Sequence, residues 1–310
     1  MKNIVFNING GIGKCVAATA VCAAIKKQYP DHNLIVVSGY PDVFINNPNV
    51  NKTFAFGQTS YFYQDYIKDK EVKIFFHDPY LTTDYVKRKK HLTQIWCELY
   101  GIKYNGELPE IFLTPREIDF FHKQVNVQKP ILLMQTNGGG DANKKYSWAR
   151  DIPASVVMPI IEHFRNEYDI VHVRREDQQE YPNTIRLTAP FRQVVATSLL
   201  SSKRLVMDSF LQHALAALRL PAVACWIVNS PLVFGYDLHT HITAGAFTKE
   251  PELRNAYIEQ FNIGGDELEF PYNNEQEIFD AKAIISALEN TQTSVAMPIP
   301  KNDGKIVLPL

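Results

Sequence analysis

Asp208 and Ser209 stand inside the run RLVMDSFLQHALAALRLPAVACW, from Arg204 to Trp226, between two short apolar stretches. Leu205-Val206-Met207 and Ala222-Val223-Ala224-Cys225 are brief runs of the kind that form fully buried parallel strands, so the segment reads as strand, sharp turn, helix, strand. The free backbone N–H groups and the positive end of the helix dipole from Ser209 to Leu211 then make a ready anion site, and a phosphate fits there. Asp and Ser also cap helices without binding anything, which is the competing reading. Two glycine loops offer similar chemistry. Asn9-Gly10-Gly11-Ile12-Gly13 follows the apolar run NIVFNI, and its glycines permit positive φ and close approach of an anion or a sugar to the backbone, or close packing of a helix on a sheet. The spacing is neither that of a dinucleotide fingerprint nor that of a Walker phosphate loop, because Lys14 lacks the Ser/Thr neighbour.

The second loop, Gln135 to Gly140, follows Ile131-Leu132-Leu133-Met134, and the stretch from Lys144 and Lys145 through Trp148 to Arg150 sets cations and an aromatic beside it. Those groups suit a diphosphate, and equally a solvated surface loop. His77 and Asp78 end an apolar run from Val72 to Phe76, where open α/β sheets gather ligands, although a His-Asp pair before Pro79 is also ordinary turn chemistry. Arg174 and Arg175 end another such run and have Glu176 and Asp177 as ready ion-pair partners. His239 and His241 lie two apart, but no carboxylate or cysteine completes a metal set, and no metal is expected.

The elements that must position these groups alternate strand and helix. Strands are expected at 3–8, 34–37, 50–56, 72–76, 131–134, 170–173, 184–187, 205–207 and 222–225, and helices at 14–29, 91–100, 114–125, 155–168, 191–200 and 274–289. The polar stretch 126–129 before Pro130 resembles an interdomain hinge, which gives an amino-terminal domain over 1–127, a second over 128–290 and a tail over 291–310. A hydrophobic content of 45% supports proper cores, and 32 basic against 33 acidic residues give no global field for nucleic acid. The four cysteines, Cys15, Cys22, Cys97 and Cys225, are scattered and read as buried thiols of a reducing compartment. No run is long and apolar enough for a membrane span and no signal-peptide layout opens the chain, so a cytoplasmic location is the expectation.

Two successive βα domains, each with a glycine loop after its first strand, resemble the GT-B fold of nucleotide-sugar glycosyltransferases: α/β, with two Rossmann-like domains facing each other across a cleft. The opening GGIGKCVAATAVCAAIKKQYPDHNLIVV is similar to that of glycosyltransferase family nine, the ADP-heptose:lipopolysaccharide heptosyltransferase-like family, with its G-G-I-G-D-x-x-x-x-T-P loop. The later run is similar to that family's V-G-x-D-S-G-x-x-H-x-A-A-A-L-x-x-P, with Asp208, Ser209, His213 and Pro221 matching position by position. The resemblance implies a transferase that moves a sugar from a nucleotide-diphosphate sugar to a glycan or other hydroxyl acceptor, by inversion and without a metal or other cofactor. It also implies a place in lipopolysaccharide or glycan biosynthesis, and a lipid-linked acceptor would bring peripheral membrane contact. Donor-binding residues carried over are Thr136, Lys144, Lys145, Asp208, Ser209, Phe210 and His213, beside the glycine loop Gly10, Gly11 and Gly13.

Two departures matter. Phe210 stands where the family has glycine, and Lys14 where it has the aspartate that deprotonates the acceptor. A protonated amine cannot take that proton, so Lys14 reads as a binder of phosphate or carboxylate, and the base must come from elsewhere. Asp78, His77 and Asp42 are candidates by strand-end position. The rival functions are a nucleotide-sugar-binding protein that has lost catalysis, and a GT-B epimerase or hydrolase of nucleotide-sugars.

Overall fold

A computed structural model describes residues 2–138, 146–250 and 269–291. The expected lysines at 144 and 145 and the tail from 292 onward lie outside the described residues. The strands are β1 (Lys2–Ile8), β2 (Asn33–Ser38), β3 (Lys52–Ala55), β4 (Glu71–Phe75), β5 (Ile131–Met134), β6 (Asp169–Val173), β7 (Ile185–Leu187), β8 (Ser201–Met207), β9 (Val223–Trp226) and β10 (Thr240–Thr243). The helices are α1 (Ile12–Gln28), α2 (Thr83–Val86), α3 (Leu92–Leu99), α4 (Pro115–His122), α5 (Ala154–Phe164), α6 (Phe191–Ser198), α7 (Phe210–Ala217), α8 (Pro231–Phe234) and α9 (Ala281–Asn290).

The chain divides into two compact units. One is built on the residues up to Leu113 and takes in Ala216–Leu218 and Leu232–Phe234; the other holds the remaining described residues. The first carries a sheet of order β3-β2-β1-β4 and the second a sheet of order β10-β9-β8-β5-β6-β7. Every strand pairing among the described residues is parallel. Parallel strands covered on both faces must be apolar throughout rather than alternating, and β5, β8 and β9 are buried at every position. Helix α1 follows the same logic. It is buried at each residue from Lys14 to Ile25, a run rich in Ala, Val and Cys whose small side chains let the helix lie close to the strands.

Three differences from the expected elements have clear causes. Helix α4 opens with a complete Thr114–Glu117 capping box as its sequence predicts, but it belongs to the second unit and not to the first, because Glu117 grips Arg192 of α6 at 2.7 Å. The helix expected from Asn274 starts only at Ala281: Asn274 caps a single turn, Glu275–Glu277, then Ile278 and Phe279 plunge into the core and Asp280 caps α9 anew. The stretch Thr240–Thr243, which is not among the expected strands, supplies β10, which pairs with β9. No helix among the described residues is long and apolar enough to cross a membrane.

Candidate functional site

In the second sheet β5 lies between β8 and β6, so the chain leaves β5 toward one side while β8 arrives on the other. The chain therefore leaves β5 and β8 at the switch point of the sheet, at the carboxyl ends of the strands, the usual ligand site of an open parallel sheet. Gln135 and Asp208-Ser209 meet at this point. The Ser209 hydroxyl donates to Gln135 Oε1, and the Leu211 N–H reaches Ser209 Oγ at 3.4 Å, so the serine ties the α7 turn to the β5 loop and caps its helix only weakly. Asp208 is 6% exposed and its carboxylate accepts from Asn229 Nδ2. Arg150 closes the other side: its Nη2 donates to the Asp208 carbonyl at 2.6 Å and its Nε lies 3.7 Å from Asp208 Oδ2. The guanidinium is thus fixed by Asp208, on a side chain about one-third exposed.

A second buried network holds the β5 loop. Asp151 accepts from Gly138 N at 2.8 Å, Ser147 N at 2.9 Å and Asn137 Nδ2 at 3.3 Å, while burial pushes its carboxyl above the usual aspartate range. Thr136 Oγ1 donates to Asn137 Oδ1 at 2.9 Å and has His172 Nε2 at 3.0 Å. With its one proton committed to Asn137, Thr136 is left to accept from His172 Nε2, and burial pushes that imidazole down to about 4. Thr136 is fully buried and braces the loop instead of facing a ligand. Beside Asn137 a cavity of about 410 Å³ is lined by Tyr146, Gln178, Tyr181 and Glu275 among others.

The remaining sequence candidates of this unit sort by contact. His213 is 6% exposed with Nδ1 at 2.8 Å from the Tyr236 hydroxyl, and Phe210 stands edge-on to Phe191. Trp148 packs against Phe270 and Tyr272 in the core. Arg175 pairs with Asp177 at 2.9 Å and Arg174 with Glu180 at 3.3 Å, the ion-pair reading of that dipeptide. His239 bonds the Gln212 carbonyl and His241 accepts from Trp226 Nε1; among the described residues no group of three His, Cys, Asp or Glu side chains could hold a metal.

The first sheet repeats the arrangement, with β1 between β2 and β4 and the loops after β1 and β4 at its switch point. Here Lys14 and Asp78, 64 residues apart, form an ion pair with Lys14 Nζ 2.7 Å from both carboxylate oxygens. The lysine side chain is 5% exposed and the aspartate 32%. The ammonium lies 4.2 Å from the centre of the Tyr80 ring and 5.5 Å from that of Trp96. Asp78 is anchored again by the Tyr80 N–H at 2.9 Å, as the cap of the turn Pro79–Leu81. Gly10 has φ +117°, and a Cβ there would sit 2.8 Å from Lys14 Cδ, so the glycine is what lets the lysine fold back over the loop. Gly11 and Gly13 open α1. His77 gives its carbonyl to Tyr100, and Asp42 lies in the short turn Pro41–Phe44.

Sequence reasoning overlooks Asn229, Tyr80 and Trp96, none of which belongs to a recognisable motif, names Gln135 only as the start of a glycine loop, and counts Arg150 only among several cations.

Searches by sequence find no matching protein-family model and no matching curated protein. Structural comparison does find relatives. A family nine glycosyltransferase from Veillonella parvula superposes with a TM-score of 0.65 at 13% identity, over 93% of this chain and 96% of its own. This chain has the fold of the family nine glycosyltransferases. The ADP-heptose lipopolysaccharide heptosyltransferase II of E. coli shares the GT-B fold at a TM-score of 0.61 and 13% identity, over 80% of this chain and 91% of its own. So does the iron-containing dodecameric glycosyltransferase TibC of enterotoxigenic E. coli, at 0.62 and 12%, over 93% of this chain and 75% of its own. TibC is also known in complex with ADP-D-β-D-heptose, a structure with a TM-score of 0.57 at 14% identity over 92% of this chain and 72% of its own.

Proposed function

We propose that this GT-B chain is a glycosyltransferase that binds a nucleotide-diphosphate sugar at the switch point after β5 and β8 and transfers the sugar to a hydroxyl of a glycan or lipid-linked acceptor. The observation that carries the reading is Arg150, held by Asp208 beside the first turn of α7. A guanidinium and free helix N–H groups at one point meet a diphosphate by charge-assisted hydrogen bonds and by the helix dipole. Asp208, an anion itself, does not bind phosphate; it aims Arg150 and is neutralised by it. Ser209 fixes the turn through Gln135. The cavity beside Asn137, with two tyrosines and several amide and carboxylate groups, takes the nucleoside. Structures of the same fold with ADP-heptose support a donor of this class.

The chemistry follows from charge. As the sugar leaves, negative charge accumulates on the diphosphate, and fixed donors around it lower the barrier because they need no reorganisation. Direct displacement would invert the anomeric centre, and Arg150 with the α7 amides supplies the charge compensation.

The test is thermal and denaturant stability of the full chain with ADP, UDP, GDP and CMP. A nucleotide at a hundred times its dissociation constant adds about 2.7 kcal/mol. Arg150→Met should weaken the responding diphosphate by roughly 10- to 100-fold, since a hydrogen bond to a charged group contributes about 1.5–3 kcal/mol. Silence toward every nucleoside diphosphate, or unchanged affinity in Arg150→Met, defeats the donor site. Binding without release of nucleotide from any sugar donor would favour the non-catalytic binder, and release without transfer a hydrolase or epimerase.

A further inference from the structure

Resting on the transferase reading, we propose that Asp78 is the catalytic base that takes the acceptor's proton, and that Lys14, where the resembling family carries its aspartate, is a positioning residue that holds it.

The geometry divides the labour between the two residues. Lys14 is almost wholly enclosed, with its ammonium against both Asp78 oxygens and over the faces of Tyr80 and Trp96. A desolvated ammonium with a carboxylate on one side and aromatic faces on the others has no reason to leave. Asp78 is the accessible member. Its Oδ1 already accepts from Lys14 Nζ and from the Tyr80 N–H, whereas among the described residues Oδ2 accepts from Lys14 alone. Each carboxylate oxygen has two lone-pair sites, so Oδ2 keeps one for an incoming hydroxyl. The pair sits at the switch point of a parallel sheet, where a substrate of this unit would dock. The carboxylate therefore comes from the loop after β4, and the cation from the first turn of α1.

In the reaction the acceptor oxygen forms its bond to the anomeric carbon as the bond from that carbon to the diphosphate oxygen breaks, the electron pair leaving on the diphosphate. The hydroxyl proton passes to Asp78 Oδ2 and then to water. A carboxylate cannot deprotonate a free alcohol, so the transfer is late, when bonding to carbon has acidified the oxygen. Lys14 keeps the Asp78 carboxylate aimed between turnovers.

The experiment uses the full chain and whichever ADP-, UDP- or GDP-sugar stabilises it, reading nucleoside diphosphate binding and nucleoside diphosphate release separately. Asp78→Ala should bind the diphosphate within about twofold of the wild type yet release it roughly 100- to 10,000-fold more slowly, the range general-base catalysis supplies. Added formate, a small carboxylate able to enter the vacated space, should restore part of that rate. Lys14→Met should slow release without gaining from formate, because its base is present but unaimed. If Asp78→Ala does not fold, Asp78→Asn, which keeps the shape and the Tyr80 hydrogen bond, is read for the same loss. Release within a few-fold of wild type in either Asp78 variant overturns the proposal while leaving donor binding intact. Loss in Asp78→Ala that formate does not rescue overturns the proton-transfer role. A wild type that neither binds nor releases any nucleoside diphosphate fails earlier, at the transferase reading itself.

Discussion

Gly10 shows how much a single backbone position decides here. Its φ of +117° is closed to side chains with a Cβ, and a methyl group would press on Lys14 Cδ at 2.8 Å. Gly10→Ala should therefore cost about 1–3 kcal/mol, the usual range for a residue forced into a sparsely allowed conformation, and should displace Lys14 from Asp78 as well. Gly11 is the contrast: a methyl group there would meet no neighbour within 4 Å, and the residue stands at the α1 cap with φ −75°, so Gly11→Ser should be neutral or slightly stabilising. Urea midpoints of the two variants check the pair, and equal losses would refute the distinction. The glycine loop was legible as a loop that needs freedom, but its purpose was not. An ion pair between residues 64 apart leaves no periodic trace, so the loop's partner could be named only as one of several strand-end guesses. Arg150 was obscured for the opposite reason: it was one cation among neighbours of the same sign, and only its bond to the Asp208 carbonyl sets it apart.

Among elements, α4 carries the clearest electrostatic signature. Glu117 closes the capping box through Thr114 and simultaneously receives Arg192, whose side chain is 9% exposed, and these donors hold its carboxyl down at about 2, with Arg192 the largest cause. A carboxylate whose folded value is depressed stabilises the fold above its ordinary value of 4.5 and loses that contribution as pH falls toward about 2. Because Glu117 is partly solvated, the contribution is about 1–2 kcal/mol rather than the full shift. Urea unfolding followed from pH 5 to pH 2.5 should show this loss in the wild type and a flatter acid limb in Glu117→Gln, which starts less stable. Identical slopes would mean that the pair is screened. Strand and helix types were readable because buried parallel strands are continuous apolar runs and α4 has all its cap residues in one tetrapeptide. Alliances between elements were not: a capping box announces where a helix begins, and nothing in it says that α6 is the neighbour. The delayed start of α9 has the same origin, since Asn274 is a sound cap locally and only the core's demand for Ile278 and Phe279 breaks the turn that it starts.

At the scale of the molecule, the two units share a sheet design, and a set of displaced histidines gathers in the second. Burial lowers the imidazoles of His122, His172, His239 and His241, to about 4 for His172 and His239, and all four belong to that unit. The leading physical cause is desolvation in every case, and for His172 the nearby Arg174 adds to it. Below the ordinary value of 6.5 the unfolded second unit takes up protons that the folded one refuses, so its stability is complete above that pH and declines as pH falls toward 4. Each histidine titrating only in the unfolded chain contributes a slope of about 1.4 kcal/mol per pH unit. Native-state hydrogen exchange between pH 6.5 and 5, a window above the carboxylates, should therefore show the opening free energy of amides in β5, β8 and β9 falling with pH, and that of amides in β1 and β2 changing much less. Parallel slopes in the two sets would rule this out. The sequence showed nine histidines and where strands would lie, so burial of a histidine at the end of β6 was foreseeable in principle. What could not be foreseen is that four such histidines would gather on one side of the division, because that depends on which residues each sheet recruits from distant parts of the chain. The same dependence governs the two candidate sites: each is made where the chain leaving a middle strand of its sheet meets a loop arriving from across the switch point, Lys14 with Asp78 in one unit and Gln135 with Ser209 in the other.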